Sequence, residues 1–396
     1  MGVKTLWPVL EEAVDSTDRN VPIQSLQGKR VAVDLSSWIM EFQGVKVKGA
    51  SVPSNLYIRS LYYRTVELLG YGVKLIFVAD GTAPRMKVAT MQRRQKAQHG
   101  GAAGTSEDTS RQRLRMMSEK CRELLTYLGL PFLYSDGEGE ALCASLNAQG
   151  LVDGVMTSDV DAFLYGATTV YRNYCSQSGV VDVYTMEKIQ EKLGLDRRAM
   201  VMIALLVGCD FCEEGLEGVG IKKALTLIDD IKKLGQDPLD RLRGWRSNED
   251  LDSEKHCKRR GENTSNKLAS PTKLCLCSWH KEYKLELKIR EKALANESFP
   301  NKEIIKEYLE GHRHLESSPL TFNPIDICGV KTFMTRFFRS VNSKLGEFYS
   351  NFAFVLVQLQ LHNMTEFLTE SSTLTPLRIT NCRKRQTVPH LEVRMV

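Results

Sequence analysis

Val31-Ala32-Val33-Asp34, Leu75-Ile76-Phe77-Val78-Ala79-Asp80 and Val155-Met156-Thr157-Ser158-Asp159 are three apolar runs that each close on an aspartate, with Asp161 just beyond the third. Short β-branched runs separated by helical spacing read as parallel strands, and the carboxyl edge of such a sheet is where α/β proteins hold their ligands. The predicted fold is therefore α/β, a mostly parallel central sheet flanked by helices. Glu138, Glu140 and Asp210 join the same edge, which makes seven acids. Two carboxylates about 5 Å apart at an effective dielectric near 20 repel by roughly 3 kcal/mol. A cluster of seven needs protons or cations, and divalent metal is the expectation.

Composition sets the surroundings of that edge. A chain of 396 residues with 42% hydrophobic and 26% charged residues can bury a large core, so a main catalytic unit with an appended part is expected. The net charge is +6 although the candidate site alone carries seven acids, so the remaining surface is more basic than the total and suits a polyanion. Ten cysteines without secretory spacing, after an N-terminus that lacks an apolar signal segment, indicate a reducing intracellular compartment. The longest apolar stretches, near 200–208 and 352–361, fall far short of the ~20 residues of a membrane helix. Leu6 stands where a myristoylation motif wants Ser or Thr, so no lipid anchor is expected.

Strand signals at 30–34 and 74–80 flank a helical segment from Leu56 to Leu69, giving strand-helix-strand within an N-terminal region of residues 1–95. Residues 96–120 are basic and interrupted by the small-residue run His99 to Ser106, and read as an arch, a mobile loop between two basic helical arms that gates the site, with a helix from about Arg113 to Leu128. An internal region, 121–235, contains strands at 132–134, before Asp159, at 170–172 and at 181–184, then helices at 186–193 and 198–207. Residues 236–273 are polar with little apolar periodicity and read as a linker or insertion beyond the core. Helices follow within 274–315, residues 316–374 carry no assignable pattern, and 375–396 alternate like strands with a basic stretch.

Asp159 and Asp161 are two apart, so on an extended strand end both side chains fall on one face and can share a metal. Glu138 and Glu140 belong in a turn or a first helical turn, where acids complement the helix dipole. A single aspartate after a strand is ordinarily a turn former or N-cap, but several separate places with this arrangement argue for a site. All-oxygen ligation favours Mg²⁺ or Mn²⁺ over zinc. Such a site suits two-metal phosphodiester hydrolysis, with ions about 3.5–4 Å apart. Lys87 and Arg94, seven and fourteen residues after Asp80, fall near one helix face where they can neutralise a phosphate; the alternative is a solvated basic face. Gly218 and Gly220 before Lys222 and Lys223 offer backbone N–H groups at a helix N-terminus, either an anion site for duplex phosphates or an ordinary turn. Cys257, Cys275, Cys277 and His280 fit structural-zinc spacing poorly, so the cysteines read as buried reduced thiols, with metal binding by the set as the alternative.

Taken in order, Met1-Gly2-Val3 with Leu6-Trp7, Val31 to Asp34, Phe77 to Gly81, Gly137-Glu138-Gly139-Glu140-Ala141, Thr157 to Asp161 and Gly208-Cys209-Asp210 resemble the flap endonuclease/XPG family of structure-specific 5′ nucleases. Within it, Cys143 to Ala148, Phe163 to Ala167, Val170 to Asn173 and Cys277 to His280 look most like the Holliday junction resolvase (GEN) branch. The resemblance covers residues 1 to about 315 and returns near Thr375. It implies a PIN-like nuclease core in which Asp34, Asp80, Glu138 and Glu140 serve one Mg²⁺ and Asp159, Asp161 and Asp210 a second, with Glu140 near both and Mn²⁺ as a substitute. It implies that Lys87 and Arg94 contact the scissile phosphate, and that Gly2, whose amine lies near the site, is a DNA-binding residue. A helix-two-turn-helix at about 208–228, including Gly218, Gly220, Lys222 and Lys223, would grip duplex backbone and hold K⁺.

The implied activity is incision of four-way junctions, 5′ flaps and replication forks in recombination and repair in the nucleus, by a monomer that pairs on a junction, with branched duplex DNA as partner and no membrane. The alternatives are a flap- or excision-repair-type nuclease of the same family and a catalytically inactive branched-DNA scaffold. Three departures bear on substrate. Met40 replaces the aromatic residue that flap endonucleases place six positions after the first metal-binding Asp, Gly139 replaces an alanine, and the arch is shorter than one that threads single strands. Thr375 to Ile379 and Leu391 to Arg394 resemble the first hairpin of the branch's chromodomain, of which only this part is expected here.

Overall fold

The computed structural model describes residues 2–3, 5–43, 55–82, 84, 86–88, 90, 106–246, 284–310, 320–338, 376–385 and 388–395. In chain order the elements are α1 (Leu6–Leu10), β1 (Val21–Pro22), β2 (Arg30–Asp34), α2 (Leu35–Gln43), α3 (Leu56–Gly70), β3 (Lys74–Ala79), α4 (Ser106–Tyr127), β4 (Phe132–Tyr134), α5 (Gly139–Ala148), β5 (Gly154–Met156) and α6 (Asp161–Tyr165). They continue with β6 (Thr169–Cys175), β7 (Val180–Thr185), α7 (Met186–Leu193), α8 (Arg197–Val207), α9 (Ile221–Lys233), α10 (Pro238–Arg243), α11 (Lys284–Ala295), α12 (Lys302–Glu310), α13 (Ile327–Phe338) and the hairpin β8 (Pro376–Arg385) and β9 (Val388–Met395).

Seven strands form one sheet in the order β1-β7-β6-β5-β2-β3-β4. The pairs from β6 to β4 are parallel, while β7 and β1 add an antiparallel edge. The central strands are buried on both faces, which is why they read as continuous apolar runs. Their residues nevertheless divide by face: Ala32, Ile76 and Val78 pack with α5, α6 and α8, whereas Val31, Val33, Leu75 and Phe77 pack with α2, α3 and α4. From β2 the chain moves to β3 on one side and later returns to β5 on the other. That reversal opens a crevice at the carboxyl ends of β2 and β5, where open α/β sheets bind ligands.

The strand-helix-strand unit read from the sequence is present, with α2 as an additional helix directly after Asp34. Three expectations are corrected. Residues 106–120, assigned to the arch, belong to α4, which starts at Ser106 rather than near Arg113; the remainder of the arch lies outside the described residues. The stretch from 236 does not begin outside the core, because Leu239, Leu242 and Trp245 are fully buried and α11 and α12 add Ile289, Ile304, Ile305 and Tyr308 to the same core. Asp237 caps α10 by accepting from Asp240 N–H at 2.9 Å, with Pro238 at the first helical position, so a short helix start hides inside a polar run. Within the unassigned 316–374, α13 packs Val330, Phe333 and Met334 against the α2–α4 face.

Candidate active site

All seven acids are brought to the crevice, each by a different local device. Asp34 ends β2 and is buried. Its Oδ1 accepts Ser37 N–H at 3.1 Å in the manner of a helix cap, and its Oδ2 accepts the Thr157 hydroxyl at 2.9 Å. The bland reading of a post-strand aspartate as a cap is therefore true here alongside the site reading. Asp80 follows β3 and accepts Gly139 N–H at 2.7 Å. A β-carbon on residue 139 would stand 2.9 Å from that same Asp80 oxygen, so the glycine between the two glutamates allows the close approach. Glu138 is the N-cap of α5, but its carboxylate makes no cap bond and turns instead to Lys87. Glu140 lies in the first turn of α5, as expected.

The Asp159–Asp161 pair converges for a reason other than strand alternation. β5 ends at Met156, so Asp159 sits in the following turn and Asp161 opens α6. The turn folds back on itself: Asp159 N–H donates to the Thr157 hydroxyl at 3.1 Å, and Asp161 N–H donates to Asp159 Oδ1 at 3.1 Å. Thr157 thereby ties Asp34 to Asp159 across the β2–β5 crevice. Asp210 follows α8 in the turn closed by Cys209 and Cys212, and its Oδ1 accepts Gly2 N–H at 3.3 Å.

The N-terminal segment is part of the site. Val3 N–H donates to Asp161 Oδ1 at 2.9 Å, and Gly2, at φ +79°, is wedged so that a β-carbon would fall into the Asp159 and Asp161 carboxylates. Trp7 on α1 anchors this segment through its indole N–H to the Ser158 carbonyl at 2.9 Å. Arg172 covers the Trp7 ring at 4.1 Å and pairs with Glu11 at 2.9 Å.

Electrostatics register the crowding. Burial, followed by the Asp80 charge, pushes the Asp34 carboxyl up to about 7. Burial also raises Glu138, Glu140, Asp159 and Asp161, with Asp159 the next cause for Glu140 and for Asp161. Lys87, in helical backbone after Asp80, contacts Glu138 and stands 3.6 Å from Asp210. Burial disfavours its charge, but Glu140, Glu138 and Asp210 outweigh burial and hold it as an ammonium.

Among the described residues no three His, Cys, Asp or Glu side chains form a ready-made ion cage. The acids form a splayed array in which Lys87 supplies one unit of positive charge. The donor set still fits a divalent ion: it is all oxygen, and five members have their proton affinity raised, by burial first and by neighbouring acids after it.

Arg94 and the Cys257, Cys275, Cys277 and His280 set lie outside the described residues. Gly218, Gly220, Lys222 and Lys223 lie around the start of α9, with Gly220 as N-cap. There Lys223 Nζ donates to the Gly218 carbonyl at 2.7 Å and Lys292 Nζ to the Glu217 carbonyl at 2.6 Å. Met40 is exposed on α2. Sequence reasoning missed Thr157 and Ser37 as supports, although both sit beside the motif acids. It also missed Tyr308 on α12, whose hydroxyl donates to Asp161 Oδ2 at 2.7 Å.

Comparison with known proteins agrees with this architecture. The XPG N-terminal domain model matches residues 1–100 and the XPG I-region model matches residues 129–210. Flap endonuclease GEN homolog 1 of Homo sapiens is 36% identical over 343 residues, covering 78% of this chain and 37% of that protein. Flap endonuclease GEN of Drosophila melanogaster is 30% identical, covering 100% of this chain and 58% of that one. The chain thus spans less than two thirds of the length of these curated relatives. The crystal structure of human GEN1 in complex with Holliday junction DNA superposes with a TM-score of 0.70 at 32% identity, over 100% of this chain and 87% of that chain.

Proposed function

Because the chain belongs to the flap endonuclease/XPG family, in its GEN branch, we propose that it is a structure-specific endonuclease that cuts Holliday junctions and other branched DNA. The observation that carries this reading is the seven-acid array at the β2–β5 crevice with Lys87 inside it. A pure DNA binder gains nothing from seven carboxylates that repel phosphate.

In this reading Asp34, Asp80, Glu138 and Glu140 hold one Mg²⁺ and Asp159, Asp161 and Asp210 a second, with Glu140 near both and Mn²⁺ as a substitute. Held by these residues, such ions would supply activation of water and charge stabilisation for phosphodiester hydrolysis to a 5′ phosphate and a 3′ hydroxyl. Lys87 turns from Glu138 and Asp210 to the phosphate and offsets its charge, joined by Arg94. The Gly2–Val3 segment walls one side of the site and orients Asp161 and Asp210 through its N–H groups.

The start of α9 is the duplex grip. The helix N-terminus at Gly220, where no side chain caps the backbone, and Lys222 favour phosphate. The Glu217 and Gly218 carbonyls, which draw two lysine ammonium groups, favour a monovalent cation such as K⁺ where those lysines move onto DNA. Among the described residues each copy has one such acid array, so symmetrical resolution would need two copies on one junction, monomeric otherwise, and action on DNA suits the nucleus.

The test is a cleavage panel of an immobile four-way junction, a 5′ flap and a splayed arm, with and without Mg²⁺. Cutting that requires Mg²⁺ is expected, lost in Asp34→Asn and Asp159→Asn while junction binding is retained. Undiminished cutting by either variant refutes the site, and wild-type protein that binds junctions but cuts none of the three identifies a scaffold instead.

A further inference from the structure

The Asp161 carboxylate is held from two directions by parts of the chain far apart in sequence. Val3 N–H donates to Oδ1 at 2.9 Å from the N-terminal segment, and Tyr308 Oη donates to Oδ2 at 2.7 Å from α12. With both oxygens engaged, the carboxylate cannot turn about its own bond without giving up a hydrogen bond inside the protein, where such a loss is costly.

Tyr308 is itself fixed. It is fully buried, and its ring meets Tyr165 at 5.0 Å and Phe211 at 5.3 Å, the latter edge-on. Its carbonyl accepts from Arg197, whose Nε also donates to the Leu164 carbonyl at 2.7 Å, so the end of α12 is latched to α6 and α8. Phe211 directly follows Asp210 in sequence, and the Tyr308 ring therefore lies against the mounts of two site acids at once.

We infer that Tyr308 is a positioning residue: its hydroxyl sets the orientation of the Asp161 carboxylate for a divalent ion, and makes α12 a working part of the site. The inference rests on the nuclease reading for the identity of the ion. Hydrogen-bonded partners of metal ligands commonly matter about 10–100-fold in metal affinity when removed. The rival account, that Tyr308 merely fills the core, is separable because phenylalanine keeps the ring and deletes only the hydroxyl.

The experiment titrates Mn²⁺ calorimetrically into the full chain as wild type, Tyr308→Phe and Tyr308→Ala, alongside Mg²⁺ titrations of cleavage and thermal melts in EDTA. Tyr308→Phe is expected to bind Mn²⁺ about 10-fold or more weakly, to regain cutting at raised Mg²⁺, and to melt cooperatively; Tyr308→Ala also loses the melt. A Tyr308→Phe isotherm within twofold of wild type overturns the inference whether or not the protein cuts DNA. Wild-type protein that binds Mn²⁺ but cuts no DNA overturns the nuclease reading alone, and weakened Mn²⁺ binding by Tyr308→Phe in that case still supports Tyr308 as the positioning residue.

Discussion

Removing a carboxylate from the crevice stabilises the metal-free protein, and by an amount that grows with pH. Asp34 is the cleanest position, being buried and pushed up to about 7 by burial and then by Asp80, against an ordinary value of 3.8. The folded state binds this proton more tightly than the unfolded chain does. Between roughly pH 4 and 7 the wild-type protein therefore loses stability as pH rises, and above 7 it carries the full penalty. At about 1.4 kcal/mol per pH unit, the gap between 3.8 and about 7 corresponds to ~4 kcal/mol, of which roughly a third is already present at pH 5.

In Asp34→Asn the amide oxygen keeps the Ser37 N–H bond and the Thr157 hydroxyl turns to accept from the amide, so packing changes little. Its stability advantage over wild type should widen by about 2–3 kcal/mol between pH 5 and pH 8. At about 2–4 °C per kcal/mol, the scale for domains of 150–250 residues, the shift in melting-temperature difference is at least ~4 °C. Thermal melts in EDTA at pH 5, 6.5 and 8 measure it, and excess Mg²⁺ should narrow the difference at pH 8 by supplying the missing charge to wild type. A variant whose advantage is independent of pH, or absent at pH 8, refutes the claim that the acids are an uncompensated cluster.

Two further substitutions probe the supports. Gly2→Ala forces a β-carbon into the Asp159 and Asp161 carboxylates at a backbone angle that disfavours L side chains, and should slow single-turnover cleavage on the order of 10²-fold with junction binding kept; wild-type rates would mean the segment does not close the site. Glu286→Ala strands buried Arg241, which it pairs at 2.8 Å, and removes the acceptor of the Trp245 indole at 3.0 Å. A loss of about 3–5 kcal/mol in denaturant titration is expected, and less for Glu286→Gln, which still accepts from both.

The sheet was legible because its central strands are buried on both faces, so Val31–Val33 and Leu75–Ala79 are uninterrupted apolar runs, and because Asp34 and Asp80 follow these two runs directly. The Asp159–Asp161 pairing was found with the wrong geometry: spacing of two suits a strand end, but the same convergence comes from a turn that hydrogen-bonds to itself. Trp245 was hidden because its indole pairs with Glu286 on α11, beyond a long polar stretch, and pairing at that distance leaves no local period, while α10 packs mainly on α8. Ile304, Ile305 and Tyr308 share one face of α12, which marks Tyr308 as buried. Its hydroxyl's partner lies 147 residues earlier, and no window of sequence shows that.

The double hold on Asp161 also has a temporal side. Its donors come from Val3 and Tyr308, 158 residues before it and 147 after it. Translation delivers the acid set once residue 210 has been made, yet α12 is synthesised later, and contacts of such long range form late in folding. A nascent or misfolded chain therefore has every acid and still lacks the fixed Asp161 carboxylate. The fixed geometry of that carboxylate arrives only when α12 has docked.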